Sequence, residues 1–346
     1  MPDKKIKFLT IAGTRPEIIK LAEFIRLMRR QDHAFLYTGQ HFSDLMSDIF
    51  FKQLNITPDY DIDAKTSDVK SLKASITKVL KELKPEYVII YGDTYSSLAG
   101  ALAARESGRK IIHIEAGIRD LDSTVPEEPV RIHIDSIADY MYAPTKLAET
   151  FLFYEGRVKN VFVTGNLIVD VCQKFVAQSH STRPKGVPKK YALLTMHRPE
   201  NVDDEEHLGM LVSHLKSLPF EVVFPIHPRT TKNLEKYGIG LPSNVISAEP
   251  MGYLEFLNLL NKSTIVMTDS GGVTEEAAIL KKPCITMRHT TARWETILLN
   301  ANILFGLDRK DSLADVVKTM LKRKMPDHPY GSNVAKKTAK HIIGLS

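Results

Sequence analysis

Short apolar runs recur along this chain about every thirty residues, and longer amphipathic stretches separate them. The runs are rich in Ile, Val, Leu, Phe and Tyr, which is typical of strands buried on both faces of a parallel sheet. We predict about a dozen strands, from residues 6–12 to residues 302–305. Two of the intervening helices are predicted at residues 16–30 and 205–218. This alternation predicts an α/β fold made of βαβ units.

The length of the chain and one break in its pattern predict two domains. A chain of 346 residues exceeds what one hydrophobic core usually holds. Residues 178–190 are rich in Ser, Pro and Lys and interrupt the rhythm, so we predict a linker there. We therefore expect one Rossmann-like domain at residues 1–170 and another at residues 191–329. The stretch 330–346 is helical in composition and can pack back on the first domain.

Charge and cysteine content narrow the classes of function. The net charge of +6 favours an anionic partner. The sequence lacks zinc-finger, basic-zipper and RNA-binding signatures, which lowers the nucleic-acid hypothesis and leaves a phosphorylated small molecule. The two cysteines, Cys172 and Cys284, have no disulfide or metal-ligand spacing, so we expect a reducing, cytoplasmic location and no metal. No stretch predicts a signal peptide or a membrane span.

Glycine and polar residues gather directly after the predicted strands. Nine such loops occur, among them residues 13–15, 92–94, 115–117 and 269–271. Ligands of open α/β sheets bind beyond the carboxyl ends of the strands. Loops are polar in any protein, so one such loop indicates little. Nine together predict ligand sites, and two sheets facing each other across a cleft would bring them together.

Residues 269–277, DSGGVTEEA, form the most specific of these loops. They follow a predicted strand and open a predicted helix, so the backbone N–H groups of Ser270, Gly271 and Gly272 are placed to hold a phosphate. The alternative for this stretch alone is a tight turn. Arg15 and Arg293 are candidate cations for the same anion. Glu276, one helical turn further on, is a candidate acceptor for two ribose hydroxyls.

Acid and base candidates lie mostly at strand ends. They are Asp93, Glu115, Glu127, Glu128, His197 and His227. For each one alone, a hydrogen-bonded structural role is an equal alternative, and we favour a structural or peripheral role for His227. Neither G-x-G-x-x-G nor G-x-x-x-x-G-K-[ST] occurs, which argues against a tightly bound NAD and against an ATP-cleaving site.

Ordered motifs along nearly the whole chain resemble those of the non-hydrolysing UDP-N-acetylglucosamine (UDP-GlcNAc) 2-epimerases. The matching runs are GTRPEIIK at 13–20, TGQH at 38–41, GDT at 92–94, HIEAGIR at 113–119, PEE at 126–128, HRPEN at 197–201, PIHP at 225–228 and the run 269–277. The GDT triplet also differs from the Gly-Asp-Arg pattern of hydrolysing relatives. The resemblance implies a GT-B fold, with two Rossmann-like domains around a central cleft.

The resemblance also implies a reaction and a set of site residues. The reaction is reversible inversion at C2 of UDP-GlcNAc, through elimination of UDP to 2-acetamidoglucal and its re-addition, with no external cofactor. The family tends towards dimers, so a homodimer is implied. Carried over by position, the catalytic residues are Asp93, Glu115, Glu127 and His197. The residues implied to hold UDP are Arg15, Lys20, Phe256, Ser270, Gly271, Gly272, Glu276 and Arg293. A second, activating UDP-GlcNAc in bacterial members matches Gln40, His41, Arg198 and His227.

Departures from the family pattern leave the sugar open. Residues 127–131, EEPVR, replace the common Glu-Glu-x-Asn-Arg, and residues 291–295, TARWE, replace Thr-Glu-Arg-Pro-Glu. Ser43 replaces a frequent glutamine, which leaves allosteric control open. A related sugar, UDP-2,3-diacetamido-2,3-dideoxy-glucuronic acid, is one alternative substrate. A GT-B glycosyltransferase, a hydrolase that releases free N-acetylmannosamine and a non-catalytic binder of nucleotide sugars are the others.

Overall fold

The chain forms two α/β units in a computed structural model that describes residues 5–40, 44–182 and 184–345. Unit 1 comprises Met1–Val171 and Pro329–Ser346, and unit 2 comprises Cys172–His328. The predicted linker, 178–190, begins in the last turn of the helix that precedes the second sheet. The division between the units falls earlier, between Val171 and Cys172.

The first group of elements runs from the first strand to the helix that crosses from unit 1 into unit 2. They are β1 (Phe8–Ala12), α1 (Arg15–Met28), β2 (His33–Tyr37), α2 (Asp44–Leu54), β3 (Tyr60–Asp61), α3 (Val69–Leu83), β4 (Tyr87–Tyr91), α4 (Tyr95–Glu106), β5 (Lys110–Ile114), α5 (Glu127–Ile137), β6 (Tyr140–Ala143), α6 (Lys146–Tyr154), β7 (Val161–Val163) and α7 (Ile168–Ser179).

The second group completes unit 2, and the last helix returns to unit 1. They are β8 (Ala192–Thr195), α8 (Pro199–Val202), α9 (Glu205–Lys216), β9 (Val222–Pro225), α10 (Pro228–Tyr237), β10 (Val245–Ala248), α11 (Tyr253–Lys262), β11 (Ile265–Thr268), α12 (Gly271–Ile279), β12 (Cys284–Thr286), α13 (Trp294–Leu298), β13 (Asn302–Leu304), α14 (Leu313–Leu321) and α15 (Val334–Ile343).

Each unit holds one parallel sheet in the described residues. The strand order is β3-β2-β1-β4-β5-β6-β7 in unit 1 and β10-β9-β8-β11-β12-β13 in unit 2. Every strand pairing is parallel. The predicted α/β class with two Rossmann-like halves is confirmed. The chain reverses direction across the sheet between β1 and β4, and again between β8 and β11, so ligands are expected at those two places.

The cores explain why the strands read as continuous apolar runs. In β8, Leu193 packs with α11 residues such as Leu259, whereas Leu194 belongs to the cluster on the other face with Leu211 of α9. Successive side chains of a strand point to opposite faces, so both must be apolar when helices cover both faces.

Element boundaries agree with the sequence patterns to within two residues at most ends. Helix α1 begins at Arg15, one residue before the prediction, because Thr14 and Glu17 form a capping box. It ends at Met28 and α9 ends at Lys216, each two residues short of the predicted end. The short strand β3 was not predicted, since two residues, Tyr60 and Asp61, give no periodic pattern.

The end of the chain belongs to unit 1. Helix α15 packs on α1 within unit 1. Across the described ranges, no helix combines the length and the apolar content that a membrane crossing requires.

Candidate functional site

Glu17 ties together the two loops at the β1/β4 switch point of unit 1. Its Oε2 accepts hydrogen bonds from the backbone N–H groups of Gly13 and Thr14 at 2.8 and 2.7 Å. Its Oε1 accepts from the hydroxyls of Thr94 and Ser97 at 2.9 and 2.8 Å. Burial raises the pKa of the carboxyl group, and these donors oppose the rise. The loops after β1 and β4 are thereby fixed against each other.

The predicted residues Lys20 and Glu115 meet in a buried ion pair. The Lys20 ammonium lies 3.0 and 2.8 Å from the two carboxylate oxygens of Glu115. The phenol of Tyr91, at the end of β4, also donates to this carboxylate. Glu115 adopts a φ of +73°, a left-handed conformation that is uncommon for glutamate, at the point where β5 ends. The strain falls at a candidate catalytic residue, where such conformations tend to concentrate.

Asp93 lies in a second ion-pair cluster of unit 1. The Nε of Arg131 is 2.7 Å from Asp93, and its Nη1 contacts Asp120 and also Glu128, the latter at 3.1 Å. Glu128 in turn accepts the backbone N–H groups of Asp120 and Leu121 at 2.8 and 3.1 Å. The Asp93 side chain is 27% exposed, against 6% for Arg131, so it is the member of this cluster turned most towards solvent.

His113 and Asp135 support the loop that carries Asp93. The ring of His113 lies 2.6 Å from Asp135 through Nδ1 and 2.8 Å from the carbonyl oxygen of Gly92 through Nε2. Asp135 also accepts from Arg119 at 2.7 Å. Burial would raise the pKa of Asp135, but His113 and Arg119 hold it below its usual value.

The remaining predicted residues of unit 1 have other contacts or positions. Arg15, at the start of α1, lies over the ring of Phe50 at 6.0 Å and is partly buried. Gln40 is buried, and its amide oxygen accepts from the backbone and hydroxyl of Ser96, so it supports the start of α4. Glu127 is the first, partly buried residue of α5. His41 lies outside the described residues.

Asp269 organises the β8/β11 switch point of unit 2. Its Oδ2 accepts the backbone N–H groups of His197 and Arg198 at 2.9 and 2.8 Å. Its Oδ1 lies 3.1 Å from Nδ1 of His197. Burial would raise the pKa of Asp269, but His197 and the two backbone donors lower it. The His197 side chain is 42% exposed, so an anionic residue orients its ring while the ring itself reaches solvent.

The predicted anion site is the N-terminus of α12. Ser270 is the N-cap residue, and in the described part of the chain its hydroxyl makes no capping hydrogen bond to this helix. Gly271 and Gly272 supply the first two N–H groups, and the Arg293 guanidinium lies 3.6 Å from where a Cβ of Gly271 would be. Arg293 is buried and ion-paired with Glu275. The first N–H groups of a helix beside a fixed cation favour a phosphate.

Glu276 lies deeper along α12. It is 5% exposed, and its Oε1 accepts the hydroxyl of Tyr253 at 2.8 Å. Phe256 lies on α11, one turn after Tyr253, where it is partly buried against the core.

His227 and Arg198 lie next to His197 in unit 2. The rings of His197 and His227 lie 5.7 Å apart, and His227 caps α10 by accepting the N–H of Arg229 at 3.2 Å. The backbone of Arg198 is held by Asp269. Of the predicted activator residues described, these two thus lie in unit 2 and Gln40 lies in unit 1.

The sequence did not single out several residues that hold the predicted ones in place. They are Tyr91, Asp120, Asp135, Asn201 and Tyr253. Asp120 lies in the loop between β5 and α5, and that position indicates it only weakly. The others lie inside strands or helices, where sequence alone does not show which face meets a site.

Comparisons with known proteins show which family the chain resembles. The family model described as UDP-N-acetylglucosamine 2-epimerase matches residues 26–344. The UDP-N-acetylglucosamine 2-epimerase of Methanocaldococcus jannaschii is 40% identical, over 98% of this chain and 98% of that protein. The UDP-2,3-diacetamido-2,3-dideoxy-D-glucuronate 2-epimerase of Pseudomonas aeruginosa is 38% identical, over 98% of this chain and all of that protein.

A solved structure extends the likeness to the fold. The crystal structure of the M. jannaschii UDP-GlcNAc 2-epimerase in complex with UDP-GlcNAc and UDP matches with a TM-score of 0.90 and 37% identity, covering 98% of this chain and 100% of that one. This match confirms the expected GT-B type of α/β fold. The chain belongs to the UDP-N-acetylglucosamine 2-epimerase family.

Proposed function

We propose that this protein interconverts UDP-GlcNAc and UDP-N-acetylmannosamine (UDP-ManNAc) by inversion at C2. The observation that carries the proposal is the set of chemical groups at the switch point of each unit. Unit 2 offers an anion site at α12 with Arg293 beside it, and unit 1 offers carboxylates held by Lys20 and Arg131. Family membership and relatives of that name at about 40% identity support the same activity.

The chemistry needs both sets of groups. A base takes the proton from C2, the C1–O bond to UDP breaks with its electron pair leaving on the diphosphate, and a C1–C2 double bond forms. The diphosphate then returns to C1 as an acid delivers a proton to the opposite face of C2. Stabilisation of the departing diphosphate is assigned to the α12 N-terminus and Arg293, because N–H dipoles and a guanidinium offset its charge.

The acid and base groups are assigned to Asp93, Glu115, Glu127 and His197. Asp93 is partly exposed and held by Arg131, so it can exchange a proton with a sugar while its position stays fixed. Lys20 and Tyr91 fix Glu115 in the same way, and Asp269 fixes His197. We therefore assign Lys20 to placing Glu115, and its contact with UDP, which the resemblance implies, stays a prediction.

The decisive experiment is incubation with UDP-GlcNAc in deuterated water, followed by proton NMR. We expect deuterium at C2 and the signals of UDP-ManNAc. The variant Asp93→Asn should lose about a hundredfold or more of this rate, as for loss of a general acid or base. Asp68→Asn is a matched control, because Asp68 caps α3 at the surface and asparagine caps equally well.

The outcomes separate the competing activities. Wild-type protein without deuterium incorporation and without UDP-ManNAc would contradict the proposal. Free N-acetylmannosamine instead of UDP-ManNAc would indicate hydrolysis, and transfer of the sugar to an added acceptor would indicate a glycosyltransferase. UDP binding without turnover, and with the same affinity in Asp93→Asn, would indicate a non-catalytic binder.

A second substrate deserves the same assay because of the P. aeruginosa relative. A uronic sugar carries an extra carboxylate and favours an additional cation near the sugar. In unit 1 the buried cations Lys20 and Arg131 already pair with Glu115 and with Asp93, Asp120 and Glu128, and Arg15 is predicted to meet the diphosphate. We therefore expect a higher kcat/KM for UDP-GlcNAc than for the 2,3-diacetamido uronic analogue. The reverse order would reassign the substrate and leave the reaction unchanged.

Three accompanying expectations stay predictions. A homodimer is expected in solution, which light scattering after gel filtration measures. The cytoplasmic location agrees with two buried free cysteines, Cys172 and Cys284, and with a nucleotide-sugar substrate. Activation by a second UDP-GlcNAc would give sigmoidal kinetics, and Arg198→Ala and His227→Ala would make them hyperbolic.

A further inference from the structure

The carboxylate of Glu276 has a buried partner that the proposed reaction does not use. Tyr253, the first residue of α11, donates its hydroxyl to Oε1 of Glu276 at 2.8 Å. Tyr253 is 2% exposed and Glu276 is 5% exposed. A hydrogen bond in such buried surroundings is strong, and its geometry is well defined.

Two further observations show that Tyr253 is a fixed donor. Its ring meets the ring of Phe175 edge to face, with centroids 6.3 Å apart, so packing restrains its orientation. Burial raises the pKa of the phenol well above its ordinary value, and the nearby Glu276 and Cys172 raise it further. The hydroxyl therefore keeps its proton and always donates.

A carboxylate has two oxygens and can accept hydrogen bonds from two neighbouring hydroxyls, as a ribose diol offers. Its value as a ribose acceptor depends on the rotation of the carboxylate plane, since both hydroxyls must be met at once. The Tyr253 bond restrains that rotation through Oε1. Glu276 follows Gly272 by four residues on α12, so the two lie on the same face of the helix, and the ribose of a nucleotide whose diphosphate meets the helix N-terminus can reach Glu276.

Resting on the proposed function, we propose that Tyr253 is a positioning residue that fixes the Glu276 carboxylate for the ribose hydroxyls of UDP. Tyr253 thereby contributes to the preference of the site for a ribonucleotide over a nucleotide without those hydroxyls. It touches the nucleotide only through Glu276.

The test compares UDP with 2′,3′-dideoxy-UDP, which has the diphosphate and the base but no ribose diol. Affinities of both are measured by titration calorimetry for the wild type, Tyr253→Phe and Glu276→Gln. We expect Tyr253→Phe to weaken UDP about tenfold, the equivalent of one hydrogen bond to a charged group, and dideoxy-UDP less than about twofold. The ratio of the two affinities should collapse towards that of Glu276→Gln.

Tyr191→Phe is the matched control. Tyr191 is also buried in unit 2, at 1% exposure, and its hydroxyl donates to the carbonyl oxygen of Leu259 on the same helix α11, at 2.7 Å. Tyr191→Phe removes the same chemical group from the interior of the same unit but leaves Glu276 untouched. We expect the affinity ratio of Tyr191→Phe to equal that of the wild type.

The kinetic readout has the same direction. Tyr253→Phe should raise KM for UDP-GlcNAc about tenfold with kcat changed less than about twofold, since the ribose does not change during the reaction. If Tyr253→Phe leaves the ratio of the two affinities unchanged, whether both ligands weaken equally or neither weakens, the inference is overturned and Tyr253 is a core residue.

Failure of the proposed function has a different signature. Wild-type protein that prefers UDP over dideoxy-UDP, loses this preference in Tyr253→Phe, and yet gives no C2 exchange supports the inference and contradicts epimerisation. Wild-type protein without any preference for UDP contradicts the inference even if epimerisation proceeds.

Discussion

Asp135 joins three parts of unit 1 through one buried carboxylate. It contacts His113 of β5, and it accepts from the backbone of Gly117 and from Arg119 in the loop that follows. The Asp135 side chain has no exposed surface. Glu155, the other carboxylate that pairs with Arg119, is 31% exposed. Buried charges are tolerated when their partners are present and become costly when one partner is removed.

Replacement of Asp135 should therefore be far more costly than replacement of Glu155. We expect Asp135→Asn to lower the free energy of unfolding by about 3–5 kcal/mol, because Arg119 loses a buried counter-charge. Glu155→Gln should cost less than about 1 kcal/mol, as for pairs that solvent screens. Urea unfolding followed by circular dichroism measures both. Similar losses in the two variants would contradict this account of the network.

His33 gives the stability of unit 1 a dependence on pH. Burial lowers the pKa of its ring from 6.5 to about 3, and Arg29 adds to the effect. Between these values the unfolded chain binds a proton that the folded chain does not, so stability falls as the pH drops below 6.5. At pH 4.5 the loss from this residue is about 2–3 kcal/mol relative to pH 7.

His33→Gln should remove that part of the slope, since glutamine does not titrate and can still meet the hydroxyl of Thr10, which lies 2.8 Å from Nε2 of His33. Urea unfolding of both proteins at pH 7 and pH 4.5 gives the two slopes. Parallel pH profiles for the wild type and the variant would refute the assignment.

The sequence indicated the candidate charged residues more readily than their partners. Asp93, Glu115 and His197 follow strands, and that position is visible in the sequence. Arg131 and Tyr91 are not visible as their partners, because 38 residues separate Arg131 from Asp93 and 24 separate Tyr91 from Glu115. Gln40 shows the same limit: the structure gives it a buried contact with Ser96, which lies 56 residues away.

The N-terminus of α12 is the element on which phosphate binding is proposed to depend. At Gly271 an added Cβ would meet the Arg293 guanidinium at 3.6 Å, an ordinary contact distance. Gly271→Ala should therefore fold normally but place a methyl group between the N–H groups and a diphosphate. We expect UDP affinity to fall about tenfold or more, as for loss of close backbone approach, with unchanged thermal stability.

Gly209→Ala is the matched control for that substitution. Gly209 lies inside α9, and an added Cβ would have no neighbour within 4 Å. Alanine there should raise stability by up to about 1 kcal/mol and leave UDP affinity unchanged. The prediction for Gly271 is wrong if its alanine variant binds UDP like the wild type in calorimetry.

Most elements were predictable because their apolar pattern is dictated by helices on both faces of each sheet. The ends of α1 and α9 were less predictable, since capping and local turns decide them. The loop after β7, at Gly165 and Asn166, has the glycine and polar residues from which ligand sites were predicted. In the structure the N–H of Asn166 donates to the carbonyl oxygen of Tyr330 at 3.0 Å, and a Cβ on Gly165 would lie 2.4 Å from that oxygen. This loop anchors the returning chain.

Unit 1 depends on residues from the end of the chain. Helix α15 buries Val334, Ala335 and Ile342, and it packs on α1. The Tyr87 hydroxyl of β4 donates to the carbonyl oxygen of Leu345 at 3.0 Å. A sequence pattern shows that α15 is helical, but it does not show which unit covers its apolar face.

Deletion of residues 329–346 should therefore weaken unit 1 selectively. We expect faster hydrogen exchange in α1 and β1, because burial of each large apolar side chain contributes about 1.5–3 kcal/mol. Trp294, the one tryptophan of the sequence, lies in unit 2, so its fluorescence should change little. Lys336→Ala, on the exposed side of α15, is the control with an effect within about 0.5 kcal/mol. Unchanged exchange in α1 after the deletion would contradict the dependence.

The return of α15 also sets an order in time. Unit 2 is one continuous stretch, Cys172–His328, whereas unit 1 is made from two stretches on either side of it. A ribosome releases the chain from its N-terminal end, so α1 emerges long before its partner α15 is synthesised. Unit 2 has all of its residues available while unit 1 still lacks a helix. The part of the protein that is made first is therefore the last to be completed, and chaperones have the longest opportunity to bind the apolar face of α1.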